Sequence, residues 1–133
     1  MGEAQNIGIL KNAYALLDKD DYDGFVEMCT SDAVWLYPVI KHIPYSGRWI
    51  GRQQISRFLK LHNEVEEVID FRPGEFLAQG NRVAVPGFYR GHVISNGRVW
   101  DSNFVHLVTL KEGRIDRYEA FFDTAAAMDA HEP

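Results

Sequence analysis

The amino-acid sequence predicts an α+β fold in which three N-terminal helices cover one face of a curved antiparallel sheet. Two observations carry this. Apolar residues recur at helical spacing only in the first half of the chain, and from Val68 onward the pattern alternates as in strands. Turn signals at Gly80-Asn81, Asn96-Gly97 and Glu112-Gly113 cut that second half into four segments, an antiparallel meander. Helices first and a meander afterwards is the order of an α+β domain.

The whole chain of 133 residues, 46% of them hydrophobic, suits one domain with one core. Cys29 is the only cysteine, so no internal disulfide forms. No apolar run approaches the ~18 residues that span a bilayer, and no membrane association is expected. The opening Met1-Gly2-Glu3-Ala4-Gln5-Asn6 lacks the features of a secretory signal, which makes the cytoplasm the expected compartment. A net charge of −5, with both signs scattered, offers no basic footprint for nucleic acid.

Ile7, Leu10, Tyr14 and Leu17, widened by Ile9, Ala13 and Leu16, make an amphipathic helix from about residue 4 to 19. After the polar break Asp18-Lys19-Asp20-Asp21, Tyr22 to Cys29 fits a shorter helix ended by Thr30-Ser31-Asp32. Ala33-Val34-Trp35-Leu36-Tyr37 is β-branched and aromatic and stops at Pro38, as a short strand does before a loop running to about Gly51. A third helix from about Arg52 to Val65 groups Ile55, Phe58, Leu59 and His62 on one side.

Counting outward from the turns assigns the faces of the sheet. A two-residue turn at Asn96-Gly97 pairs Ser95 with Arg98 and sets Gly87 opposite His106, with Tyr89, Gly91, Val93, Trp100, Ser102 and Phe104 on the same aromatic face. A three-residue loop Lys111-Glu112-Gly113 pairs Leu110 with Arg114 and sets Tyr118 opposite His106, with Ala120 and Phe122 following. Gly87, Gly91 and Ala120 are small, which leaves room on that face for something else. The other face is more polar and sets His92 against Asp101, as a cross-strand ion pair, a dimer contact or an acid/base pair.

With these elements placed, nearly the whole chain resembles the nuclear transport factor 2-like superfamily, in particular its SnoaL-like and ketosteroid-isomerase-related members. The matching stretches are Asp20 to Phe25, Ser31-Asp32-Ala33-Val34, and Tyr45-Ser46-Gly47 leading to Gly51-Arg52-Gln53-Gln54-Ile55. The end of the chain matches through Phe104 to Thr109, Glu112-Gly113-Arg114-Ile115 and Phe121 to Ala126. The resemblance implies a cone-shaped domain, generally a homodimer, with a pocket between the helices and the concave sheet. It places Tyr14, Leu17, Trp35, Tyr37, His62, Tyr89, Phe104, His106, Tyr118 and Phe122 around that pocket. Ketosteroid isomerases need an aspartate base, a protonated aspartate and a tyrosine donor. Tyr37 stands near the first position, His106 near the second, and Tyr14 about one residue from the third. The arginine between two aspartates of limonene-epoxide-hydrolase-like members is replaced at the matching positions by Gly87, Tyr89 and Ala120.

His106 is the first catalytic candidate, because an imidazole gives or takes a proton near neutral pH; otherwise it is a core histidine bonded to Tyr118. Tyr14, Tyr37 and Tyr118 can donate to a substrate oxygen, or serve as core aromatics. His62 and Tyr89 are candidate ligand contacts, and Trp35, Phe58, Phe104, Phe122 and Leu17 provide apolar lining. Asp123 is expected to cap a helical turn from Thr124 to Met128. No His-Glu-x-x-His, paired-cysteine, phosphate-loop or Gly-x-Ser-x-Gly pattern occurs, so neither metal nor cofactor is expected. The resulting expectation is a cofactor-free isomerase, cyclase or dehydratase acting on an apolar, oxygenated small molecule, or a non-catalytic binding or dimerisation module of the same fold.

Overall fold

A computed structural model describes residues 2–133 of the chain. The predicted apolar stripe forms α1 (Glu3–Asp18), which buries Leu10, Ala13 and Tyr14. Asp20 takes a left-handed conformation to turn the chain, and the Asp21 side chain caps α2 (Tyr22–Glu27) by accepting from the Gly24 amide at 2.9 Å. Strand β1 (Cys29–Leu36) begins earlier than the apolar pattern indicates. Thr30-Ser31-Asp32 is therefore strand, not the end of a helix. Its polar groups are accommodated from outside: Thr30 Oγ1 donates to Asp116 at 2.8 Å, and the Arg52 guanidinium holds the Cys29 carbonyl at 2.7 and 3.0 Å.

The expected loop after Pro38 contains a short strand, β2 (Arg48–Ile50), which pairs antiparallel with β1 through Trp35 and Trp49. Helix α3 (Gly51–Val65) follows, and its apolar side buries Ile55, Phe58 and Leu59. Then come β3 (Glu66–Pro73), β4 (Leu77–Gln79), β5 (Arg82–Val93), β6 (Val99–Lys111) and β7 (Arg114–Phe122). The chain closes with α4 (Thr124–His131), whose first turn Asp123 caps through the Ala126 amide at 3.0 Å. Helix α4 is a fourth helix, longer than the single turn expected.

The sheet runs β2-β1-β7-β6-β5-β3, with β4 also on β5. It is curved, with helices against it. It is not wholly antiparallel: β1 and β7 pair in parallel, because the strands after α3 fold back step by step until β7 arrives beside β1 in the same direction.

Both hairpin registers differ from the counted ones. Residues 94–97 form a four-residue connection, so Val93 is bonded to Arg98 and Gly87 stands opposite Phe104 rather than His106. At the next turn only Glu112 and Gly113 lie in the loop, both with positive φ, and Lys111 pairs with Arg114. An irregularity between Thr109 and Leu110 then shifts the ladder, so Tyr118 faces Val108 and His106 faces Ala120. The same-face assignments survive, with His106, Phe104, Trp100, Tyr118 and Ala120 buried on the inner side. On the outer side His92 faces Val99 and approaches Glu67 at 3.8 Å, and the cross-strand ion pair is Arg90 with Asp101 at 3.2 Å.

Candidate functional site

Between the inner face of the sheet and the helices lies a cavity of about 590 Å³, bordered by all eleven candidate residues. Tyr14 and Leu17 enter from α1, Trp35 and Tyr37 from the end of β1, and Phe58 and His62 from α3. Tyr89 comes from β5, Phe104 and His106 from β6, and Tyr118 and Phe122 from β7. The strand side chains alternate into the cavity because successive residues point to opposite faces, and α3 contributes Phe58 and His62 because positions four apart share one side.

The glycines do not enlarge this cavity as expected. A Cβ on Gly91 would stand 2.7 Å from Glu66 Oε2 and against the Tyr89 hydroxyl; one on Gly87 would meet the Phe104 ring and, at 2.6 Å, the Arg72 carbonyl. The protein's own side chains and backbone fill the space these residues leave.

His106 is buried among aromatic rings, with Phe104 at 4.2 Å and Tyr118 at 4.7 Å between centroids. Its hydrogen-bond partner is Tyr14, Oη to Nδ1 at 2.7 Å, and not Tyr118, whose ring stacks on Trp35 at 3.6 Å. Burial pushes the His106 imidazole down to about 3, so it is neutral at pH 7. Burial, reinforced by Tyr37, raises the Tyr14 phenol. Tyr118 is raised by burial and by the Tyr37 and Tyr14 hydroxyls, and Tyr37 is raised chiefly by burial. All three phenols therefore remain protonated and can donate. The Trp35 indole N–H is buried without an acceptor among the described residues.

Sequence reasoning missed Glu66, a fully buried carboxylate at the start of β3 that also borders the cavity. Oε1 lies 2.7 Å from His131 Nε2 and accepts from Trp100 Nε1 at 2.9 Å and Tyr45 Oη at 3.2 Å; Oε2 accepts from the Tyr89 hydroxyl. Burial works against its charge, but the bond from His131, the charge of His62 and the bonds from Tyr89 and Trp100 outweigh it and hold the carboxyl below its usual value. His62 lies across from it, Nε2 to Oε2 at 3.8 Å. Burial lowers His62, Glu66 pulls it back up and His131 lowers it further, for a net decrease.

Glu66 and Glu67 fall between the helix expected to end at about Val65 and the strand pattern expected from Val68, and neither is assigned a face. The available signal was alternation: once α3 stops at Val65, Glu66 pairs with Val93 on the inner face and Glu67 points outward. His131 and Tyr45 had no comparable signal.

A curved sheet under helices, enclosing an aromatic cavity with a few convergent polar groups, defines a small-molecule-binding α+β fold. The SnoaL-like domain family matches residues 10–118, and the chain belongs to that family. A nuclear transport factor 2-like protein from Burkholderia xenovorans LB400 is 28% identical over 99% of both chains, with a TM-score of 0.91. TerC, co-crystallised with polyporic acid, is 28% identical over 97% of this chain and 99% of its own, with a TM-score of 0.82. A protein of ketosteroid-isomerase-like fold from Catenulispora acidiphila DSM 44928, in complex with trimethylamine, is 14% identical over 92% and 91% of the chains at a TM-score of 0.77, a likeness of fold alone. None of the curated proteins matches the chain. No helix among the described residues is long and apolar enough to cross a membrane.

Proposed function

We propose that the cavity binds a largely apolar, oxygen-bearing small molecule and that the protein catalyses a cofactor-free proton transfer on it, an isomerisation, cyclisation or dehydration beside a carbonyl. The observation that carries this is the buried Tyr14–His106 pair, with the Tyr118 and Tyr37 hydroxyls nearby, in an aromatic cavity. A substrate carbonyl would accept from a phenol. As negative charge develops on that oxygen, the neutral imidazole takes the proton leaving carbon, and the oxyanion stabilises the imidazolium that forms beside it. Such donors act strongly where water is excluded. The co-crystallisation of TerC, 28% identical to this chain, with polyporic acid supports an oxygenated ligand here.

A specific observation also favours a non-catalytic binding module: His106 rests far below neutrality and the Glu66 carboxylate is already held by several donors, so neither is poised as a base at pH 7. Identification of a co-purifying compound by native mass spectrometry and denaturing extraction, then its incubation in heavy water, separates the two. Exchange of protons beside its carbonyl, followed by NMR, should fall at least about 100-fold in His106→Ala. Exchange at the same rate in both proteins overturns the catalytic assignment, and retention without exchange establishes the binding module.

A further inference from the structure

The cavity has a second polar end that the proton-transfer reading does not use. Glu66 is fully buried, and its partners divide unevenly between its oxygens. Among the described residues Oε1 has three, at 2.7 Å from His131, 2.9 Å from Trp100 and 3.2 Å from Tyr45, whereas Oε2 accepts only from the Tyr89 hydroxyl. A carboxylate offers about two acceptor positions on each oxygen, so one on Oε2 is open. Across from it stands His62 Nε2 at 3.8 Å, too far for a direct hydrogen bond but a spacing that one oxygen atom can bridge. Both residues border the cavity.

This end is remote from the Tyr14–His106 pair. Trp100, which holds Glu66, and His106 lie on the same face of β6, about 20 Å apart at about 3.3 Å per residue. The rings of Phe104 and its cross-strand partner Phe122 lie around the cavity between the two ends. The ends also differ in charge: a neutral imidazole among phenols at one, a carboxylate held by its donors at the other.

We propose that Glu66 and His62 form a hydroxyl-binding subsite, so that the cavity takes an elongated ligand in one orientation, with a carbonyl at Tyr14–His106 and a hydroxyl at Glu66–His62. The ligand hydroxyl donates to Oε2 and its oxygen accepts from His62. A carboxylate or phosphate at that position meets the charge of Glu66 and is rejected, and an ether lacks the hydrogen to donate. This rests on the reading that the cavity binds a small molecule at all.

Calorimetric titration with p-hydroxy-p′-acetylbiphenyl, its p-methoxy analogue and p-acetylbiphenyl tests both levels. The hydroxy compound should bind about tenfold more tightly than the methoxy compound, the size of one hydrogen bond to a charged group. In Glu66→Gln the ratio should fall to about twofold or less. Because that change strips a carboxylate from four donors and can unfold the chain, His62→Leu is the second variant; it leaves those donors in place and should lower the ratio to about threefold. Tyr14→Phe should weaken all three compounds and preserve the ratio. Equal binding of the three by the unaltered protein overturns the subsite and leaves the cavity reading standing. Binding of none overturns both. A ratio unchanged in His62→Leu, or lost in Tyr14→Phe, overturns the placement of the hydroxyl at Glu66–His62.

Discussion

His106 is neutral because burial, with no opposing charge beside it, lowers the imidazole to about 3 from a usual 6.5. Unfolding exposes a histidine that takes up a proton below pH ~6.5, while the folded form does not until about pH 3. Folding therefore carries no penalty from this residue above pH ~6.5 and gains one as the pH falls, at up to about 1.4 kcal/mol per unit. His106→Gln should flatten the acid side of the stability profile measured by denaturant midpoints between about pH 7 and 4, even though it weakens folding at pH 7. Glu66 and His62, both lowered in the fold, retain their own acid sensitivity in that variant. A profile of unchanged steepness would show that His106 does not stay neutral in the folded protein. The Tyr14 hydroxyl is the only hydrogen-bond partner of this imidazole among the described residues, so Tyr14→Phe leaves a buried ring nitrogen unpaired and should cost about 1–3 kcal/mol in the same denaturation assay.

In the strands, Gly87 and Gly91 are packing requirements and not openings. Gly91→Ala drives a Cβ to within 2.7 Å of Glu66 Oε2 and against the Tyr89 hydroxyl, and should destabilise the fold by about 1–3 kcal/mol. Thermal unfolding measures this, and an unchanged midpoint would mean that Tyr89 moves aside freely. The same strands show why the faces of the sheet were legible while its register was not. At Asn96-Gly97 the strongest hairpin signal misled because Asn96 is otherwise engaged: its Oδ1 accepts from the Arg98 amide at 2.9 Å and its Nδ2 donates to the Ala130 carbonyl in α4 at 2.8 Å. Gly97 then closes a four-residue connection, which moves the partner by two positions and preserves the face. At Glu112-Gly113 the shorter turn and the irregularity beside Thr109 together also move Tyr118 by two, so it keeps its side. The aromatic and imidazole lining could thus be placed from alternation alone. Glu66 is not placed, because the strand pattern is read only from Val68 onward, which leaves residues 66 and 67 in no element although the preceding helix is ended correctly at Val65.

For the molecule as a whole, the inner face of the sheet is committed to the cavity and the outer face is open. Val105 and Phe121 are cross-strand partners there, 40% and 47% exposed. Flanking them, Arg90 pairs with Asp101 at 3.2 Å and Arg117 with Glu119 at 3.6 Å, so positive and negative charges stand on both sides of an apolar centre. Such a patch is self-complementary under a two-fold axis, where each surface meets a copy of itself. The homodimer implied by the family resemblance would therefore form through this face. Sedimentation velocity on the unaltered protein should then give twice the 15.2 kDa of one chain, and Phe121→Glu should shift it toward the single-chain mass by burying like charges against each other. Because Phe121 is half-exposed in one chain, the variant should keep its helical and strand signature in circular dichroism and retain the cavity. A single-chain mass at every concentration removes the dimer, while a dimer that persists in Phe121→Glu places its interface on another surface.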